Sequence, residues 1–486
     1  MSNSKKNYLY NLSLTVINLL FPIISFPYVS RILGPFGIGK VQFVISFAQY
    51  FALFAALGIP VYGIREIAKV KDNFEQLSKT FSELILIYVG SSIIIGVCFL
   101  IIVFNLPSIS DADHLYYYLG SLIIFIGFSS IDWFYAGLQE FKVIAIRSTV
   151  IKILALVFMF LFVKTVDDLL IYFIITIFTL LGNNLINIVS VWRKVKLIVI
   201  DLNFKRHKLP LILIFSTTIA SSMYTLFDVI ILGFLSDEKA VGYYTAGVKI
   251  CKVCIPLVTS LGIVLMPKIA AHIAKNELQD FYSLIEKSFS FVVFISIPIG
   301  FGLFALSHEF IMVFSGIEFL PSVPSMQILS FMPFVIGMGY LLGIQMLIAG
   351  SKDKEMLISV SLGMVSSLIL NLILIPLFVQ EGAAIANIVS EIIVSGSYFY
   401  FSRKYYSPNL QLNLIFKAIG ASVLFLPLIY YFKNIFSGHV FVILFSSVIS
   451  GAIIYITIQS LIFQNELVAD ILLAIKKKLK FGNYEG

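Results

Sequence analysis

The chain has 486 residues, of which 59% are hydrophobic and only 12% charged, and its mean hydropathy is +0.99. Soluble domains carry about 25% charged residues, so this composition leaves no room for a large aqueous domain. The formal net charge of +8 then reads as membrane topology and attraction to anionic lipid, not as nucleic-acid binding.

A spanning helix needs roughly 20 apolar residues. Such stretches fall in order at 9 to 30, 41 to 61, 82 to 104, 116 to 137, 148 to 166, 169 to 191 and 210 to 234. They continue at 241 to 264, 289 to 307, 325 to 349, 357 to 378, 382 to 402, 414 to 432 and 440 to 463. The predicted fold is an all-α integral membrane protein with about fourteen transmembrane helices. Lys5 and Lys6 ahead of the first stretch imitate a signal peptide. The apolar run has no small-residue cleavage site, however, and the first helix is expected to stay.

Basic residues orient the spans, because cytoplasmic connectors retain Lys and Arg. With the first residues inside, and with Lys152, Lys164 and Lys417 near the ends of their stretches counted to the nearer side, 27 of the 34 basic residues fall on the cytoplasmic side, five outside (Arg31, Lys40, Lys164, Lys239, Lys433) and two, Lys249 and Lys252, deeper within a span. Both termini are therefore expected in the cytoplasm. Beyond the last span, Val468, Ile471, Leu472, Ile475 and Leu479 share one helical face and Lys476 to Lys480 supply a basic end, the pattern of a helix lying on the membrane surface.

Catalytic and metal motifs are scarce. Gly34 to Lys40 imitates a Walker A loop, but Val41 follows where a hydroxyl should hold magnesium. Cys251 and Cys254 form a lone C-x-x-C, two ligands where zinc usually takes four; with Cys98 they are expected to be packing residues. His114, His207, His272, His308 and His439 are scattered. No catalytic residue, metal or cofactor is predicted, and the chain is not expected to be an enzyme.

A repeat runs through the spans. Ile32-Leu33-Gly34, Gly39 and Leu57-Gly58-Ile59 recur as Ile231-Leu232-Gly233, Gly242 and Leu261-Gly262-Ile263, at offsets of 199, 203 and 204 residues. Both hairpins run inside to outside and back. Two parallel six-helix lobes around a central cavity are expected, a transporter arrangement with the substrate site between the halves. The expected divisions are 1–200 and 201–405 for the lobes, 406–465 for two further helices, and 466–486 for the basic tail.

Charges inside spans mark the candidate site, since each costs about 2.5 to 3.5 kcal/mol at the bilayer centre and wants a cavity or a partner. Lys249 and Lys252, three apart, share one face of the eighth span. Asp228 on the seventh lies at a comparable depth, so an Asp228 to Lys249 pair is one reading; it leaves Lys252 unexplained. Arg31 and Lys40 occupy the equivalent first hairpin, so both halves turn basic groups toward one space. A basic enclosed cavity wants an anionic substrate. Asp132 and Glu391 are candidates for cation sites or for partners of these bases, and Asn183, Asn184 and Asn371 for interhelical hydrogen bonds.

Arg31-Ile32-Leu33-Gly34-Pro35-Phe36-Gly37-Ile38-Gly39, Leu57-Gly58-Ile59-Pro60-Val61-Tyr62-Gly63-Ile64-Arg65-Glu66-Ile67-Ala68 and Asp132-Trp133-Phe134-Tyr135-Ala136-Gly137-Leu138-Gln139 resemble the polysaccharide-biosynthesis branch of the multidrug/oligosaccharidyl-lipid/polysaccharide exporters, the Wzx-type O-antigen flippases. The resemblance runs over essentially the full length, with looser motifs in the second half. It implies a carrier in the bacterial inner membrane that alternates between inward- and outward-open states without ATP. The implied cargo is an undecaprenyl-diphosphate-linked oligosaccharide, moved from the cytoplasmic to the outer leaflet for O-antigen or another surface glycan. Membrane lipid is a further implied partner, as are the polymerase and chain-length proteins of the same pathway. In the related lipid II flippases the pair corresponding to the last two spans helps form a groove for the lipid tail. Exporting about two negative charges through 100 mV gains about 4 to 5 kcal/mol, so membrane potential can supply direction, with H+ or Na+ coupling at Asp132 or Glu391 as the alternative. Two other classes remain. A drug or cation antiporter of the same superfamily should prefer buried acids to the Lys249 and Lys252 pair, and a membrane polymerase or ligase needs an outer loop longer than those near 105 to 115 and 308 to 324.

Overall fold

The computed structural model describes residues 3–107 and 110–464; the surface helix expected at 466–486 lies outside them. Among the described residues there is no β-strand, and every one of the predicted apolar stretches is helical. The physical reason is that a backbone in hydrocarbon must satisfy its own N–H and C=O groups, which a helix does segment by segment. The chain divides into two compact units, residues 1–242 and 243–486.

In the first unit, α1 (Asn3–Ala56) carries the first two spans and breaks only at Gly34, whose φ of 63° and ψ of −178° leave the helical region. Glycine tolerates that φ without a Cβ clash, and Pro35 then restarts the helix where a missing N–H costs nothing. The chain turns again at Leu57 and Gly58, both at positive φ, into α2 (Ile59–Val70). Next comes α3 (Phe74–Asn105), capped by Asn73, whose side-chain oxygen accepts the Gln76 N–H at 3.0 Å.

The fourth stretch is bent and not straight: α4 (His114–Phe125) gives way to a 3₁₀ turn and to α5 (Asp132–Gly137), with a 41° change of direction. The helices α6 (Phe141–Phe162) and α7 (Leu169–Val191) are joined by a turn in which Thr165 and Asp168 form a capping box. The unit ends with α8 (Lys205–Leu235), packed on α1 and α2. A Cβ built at Gly39 would overlap the Glu238 carbonyl, and one at Gly242 would overlap the Pro35 carbonyl. These two repeat-related glycines permit one close backbone crossing.

The second unit takes in the greater part of α9 (Glu238–Val253) and then α10 (Ile255–Ala274), so the predicted eighth span is interrupted at Cys254, with Pro256 in the first turn of α10. It continues with α11 (Leu278–Ala305), α12 (Ser307–Phe314), α13 (Val323–Leu329) and α14 (Met332–Gly339), which runs on as a π-helix over Tyr340–Ile348. The tenth stretch therefore also bends by 41°. Spans eleven and twelve form α15 (Asp353–Tyr405), broken at Val379 with φ 51° and ψ −121°. The last two spans are α16 (Asn413–Ile435) and α17 (Val440–Leu461), packed on each other, with α16 on α11 and α17 on α12. Tyr455 donates to the Phe294 carbonyl at 3.0 Å, and Lys433 reaches both the Ala305 carbonyl at 2.8 Å and Glu309 at 2.9 Å.

Candidate functional site

In the first unit two groups of buried charges are tied by ion pairs, and Lys152 faces neutral partners. Asp132, at the start of α5, pairs with Arg147 of α6, and Asn187 of α7 bonds to both. The Arg147 guanidinium also lies 5.5 Å from the Tyr135 ring. The sequence offers Asp132 as a partner for the hairpin bases; its partner here is instead Arg147. A count of basic residues places Arg147 among ordinary cytoplasmic charges, yet its side chain is 3% exposed. The interhelical amide of this group is Asn187, one helical turn beyond the Asn183 anticipated for that role.

A second tied group closes the start of α8. Glu83 of α3 is fully buried and accepts from Arg206, from His207 Nε2 at 2.9 Å and from the Asn203 N–H at 2.8 Å. The other ring nitrogen of His207 meets the Tyr62 hydroxyl of α2 at 2.9 Å. Beside it, Lys79 hydrogen-bonds to Asp201 at 2.7 Å, and that bond together with the ammonium charge holds the Asp201 carboxyl below its ordinary range. Scattered histidines gave no hint of this group. The clue available was only that a Glu at the head of an apolar stretch must find a cation once it is buried.

Lys40 pairs with Asp113 and lies 4.6 Å from the Tyr116 ring, which ties the first hairpin to the start of α4. Arg31 is exposed and donates to the Pro27 carbonyl at 2.6 Å. The basic-residue count places Lys152 in the cytoplasm too. It stands eleven residues into α6, roughly 16 Å from the start of the helix, where its ammonium contacts Asn18 and lies 5.8 Å from the Phe21 ring of α1. Asn18 lies about 20 Å before Arg31 along the same helix. Span one is thus lined at two depths by cationic side chains.

In the second unit Lys249 is half-buried and Lys252 exposed, one turn apart on α9; Lys252 makes no ion pair among the described residues. Glu391 is buried on the later part of α15, one turn after buried Asn387. Asp228, in the first unit, is 1% exposed on α8. Asn371 donates to the Ser367 carbonyl of its own helix at 2.8 Å.

The second unit also holds an apolar groove of about 610 Å³ between α10, α11, α16 and α17, lined by Leu257, Phe294, Pro298, Phe425 and Tyr455. Half-buried Cys254 is at its edge, and buried Cys251 packs against α13 through the Met326 carbonyl. A cation facing neutral groups suits an anion, and an apolar groove suits a hydrocarbon chain. They do not assemble a nucleophile with a general base.

The chain matches the family described as "Polysaccharide biosynthesis protein" over residues 4–272. It is 25% identical over 408 residues to the "Putative O-antigen transporter" of Escherichia coli (strain K12), a match covering 82% of this chain and 96% of that protein. Among solved structures it resembles the lipid II flippase MurJ in an inward closed conformation, with a TM-score of 0.73, 16% identity and coverage of 95% of this chain and 99% of that one. It also resembles an inward-facing multidrug resistance MATE family transporter of the MOP superfamily, with a TM-score of 0.62, 15% identity and coverage of 80% and 94%. At these identities the structures speak to the fold alone, an all-α transporter fold.

Proposed function

Because the chain belongs to the polysaccharide biosynthesis protein family, we propose that it is a flippase carrying undecaprenyl-diphosphate-linked oligosaccharide units from the cytoplasmic to the outer leaflet. The proposed setting is a bacterial inner membrane with both termini in the cytoplasm, and the product is O-antigen or a related surface glycan. The named O-antigen relative supports the cargo class. The observation that carries the chemistry is Lys152, a cation deep in a span whose contacts are a neutral amide and an aromatic ring.

In this reading Lys152, Arg31, Lys249 and Lys252 take turns holding the diphosphate as two parallel lobes alternate, and Lys40 joins them when its contact with Asp113 opens. Charge-assisted contacts to phosphate are among the stronger hydrogen bonds. The groove of α10, α11, α16 and α17 takes the polyprenyl tail, so lipid and sugars travel in different solvents. Each negative charge exported through 100 mV gains about 2.3 kcal/mol, which drives the loaded step, and the same field returns the empty cationic site. Glu391 and Asp228 are the proposed places for a coupling H+ or Na+. Glu83 and Asp132 are each tied to an arginine, so an antiporter for cations would have to rest on Asp228 and Glu391 alone.

The test is complementation of a strain lacking its flippase. Lys152→Ala and Lys252→Ala should each remove most surface glycan at normal protein level, with lipid-linked units accumulating on the cytoplasmic leaflet, and each Arg replacement should recover part. Parental surface glycan in both Ala variants would overturn the diphosphate role. Accumulation of unpolymerised units on the outer leaflet would instead mark a polymerase.

A further inference from the structure

A cavity of about 360 Å³ opens beside the first turns of α8. Leu57, Ile87, Leu211 and Phe215 form its apolar wall, and Lys205 and Lys208 stand at its edge. These lysines are three apart and so share a helix face. The two residues between them, Arg206 and His207, turn the other way onto buried Glu83. That grip holds both lysines outward.

Both are exposed and neither makes an ion pair among the described residues. The acids close by in sequence and space are already engaged, Glu83 by Arg206 and His207 and Asp201 by Lys79. The first turn of α8 has no acidic residue and no side-chain cap, so its cations sit unrelieved at the positive end of the helix dipole. Below them the neighbouring surface is apolar, with Leu209 67% and Leu213 61% exposed. Positive charge above an apolar recess is complementary to an anionic head on a hydrocarbon chain.

We propose that this recess binds a resident anionic glycerophospholipid, with its phosphate between Lys205 and Lys208 and one acyl chain along Leu57 and Phe215. The lining offers no hydroxyl or amide side chain to hold sugars, so a small-headgroup lipid fits and the oligosaccharide cargo does not. The lipid bears on the break between α1 and α2. Leu57 has a φ of 49°, Gly58 a φ of 77°, and a Cβ at Gly58 would come within 3.0 Å of the Phe215 backbone nitrogen.

The full chain, reconstituted in nanodiscs of phosphatidylcholine with a minor fraction of phosphatidylglycerol, is released into mass-spectrometry-compatible detergent and its retained lipid measured. The parent should keep phosphatidylglycerol in preference to phosphatidylcholine. The affinity should fall about 30-fold in the Lys205→Ala, Lys208→Ala double variant, the worth of two surface charges against anionic lipid. Ile87→Trp, which fills the slot and leaves both charges, should lose it as well. Lys268→Ala with Lys275→Ala, two exposed cations at the end of α10, should retain it. Unchanged retention in the first two variants, or equal loss in the α10 variant, would overturn the site. Retention of a polyprenyl diphosphate in place of phosphatidylglycerol, when both are supplied, would overturn the assignment to a resident lipid.

Discussion

Replacing Glu83 by Ala tests whether the start of α8 is held from inside. The carboxylate has no exposure and accepts from three groups on the segment Asn203 to His207. Their losses differ. The Arg206 side chain is 44% exposed and finds water when released, so its share is about 0 to 1 kcal/mol. Asn203 is exposed, and its N–H likewise rehydrates. The His207 ring is fully buried, and its Nε2 is left with only a 3.2 Å contact to Arg206 Nε; if that is lost as Arg206 is released, the unmatched polar atom costs about 1 to 3 kcal/mol. The total is about 1 to 4 kcal/mol, at or somewhat below the value for removing one member of a buried pair. The assay is thermal unfolding of the purified protein in detergent, with limited proteolysis of the connector at 193–204 as a local readout. Glu83→Ala should unfold at a clearly lower temperature and be cut faster between α7 and α8. Combining Glu83→Leu with His207→Leu should recover part of the loss, since both polar partners then leave together. An unfolding temperature equal to the parent's, or strictly additive losses for Glu83→Ala and His207→Ala, would refute the reasoning, because residues in one network must couple.

Single cysteines in a cysteine-free background should report the topology: those at Asp113 and Ser236 react with an impermeant thiol reagent from outside, those at Asn73, Lys205 and Lys352 do not, and outside labelling at Lys205 breaks the assignment of sides. Gly39→Val should lower folded yield on size-exclusion chromatography, since its Cβ would overlap the Glu238 carbonyl, whereas Gly90→Val, where the space is open, should leave it near the parental level. Asp132→Ala leaves the Arg147 guanidinium buried with the neutral Asn187 amide oxygen as its remaining hydrogen-bond acceptor and should cost about 3 kcal/mol. Asp132→Ala with Arg147→Met should unfold at a higher temperature than Asp132→Ala alone, and failure to do so would show that the pair carries little of the stability.

Composition and apolar run length were enough to give the fold class and to locate the helical stretches, because a bilayer admits long apolar helices and little else in a chain of this composition. Gly34 likewise marked the first hairpin, since few residues other than glycine accept its φ. Three bends escaped that reading. The breaks after Phe125, at Cys254 and after Leu329 fall inside apolar runs, where hydropathy is indifferent to a change of direction and packing against neighbours sets it.

Partner choice escaped it as well. The sequence presents Asp132, Glu83, Arg147, Lys152, Arg206 and His207 as separate charges at separations of up to 124 residues. Basic residue counts correctly treat a Lys or Arg near a span end as a topological signal, but they do not see whether it points to water, to a carboxylate or into the protein. Lys152 and Arg147 were hidden for that reason, on one helix, α6, with opposite circumstances: one bound to an acid, the other set against an amide and a ring. Hydrophobicity is a property of residues taken one at a time, so the chain alone determines that it enters the membrane and roughly where. Compensation of a buried charge is a property of pairs brought within about 4 Å, and only the tertiary structure decides which charges meet an opposite charge and which face neutral groups.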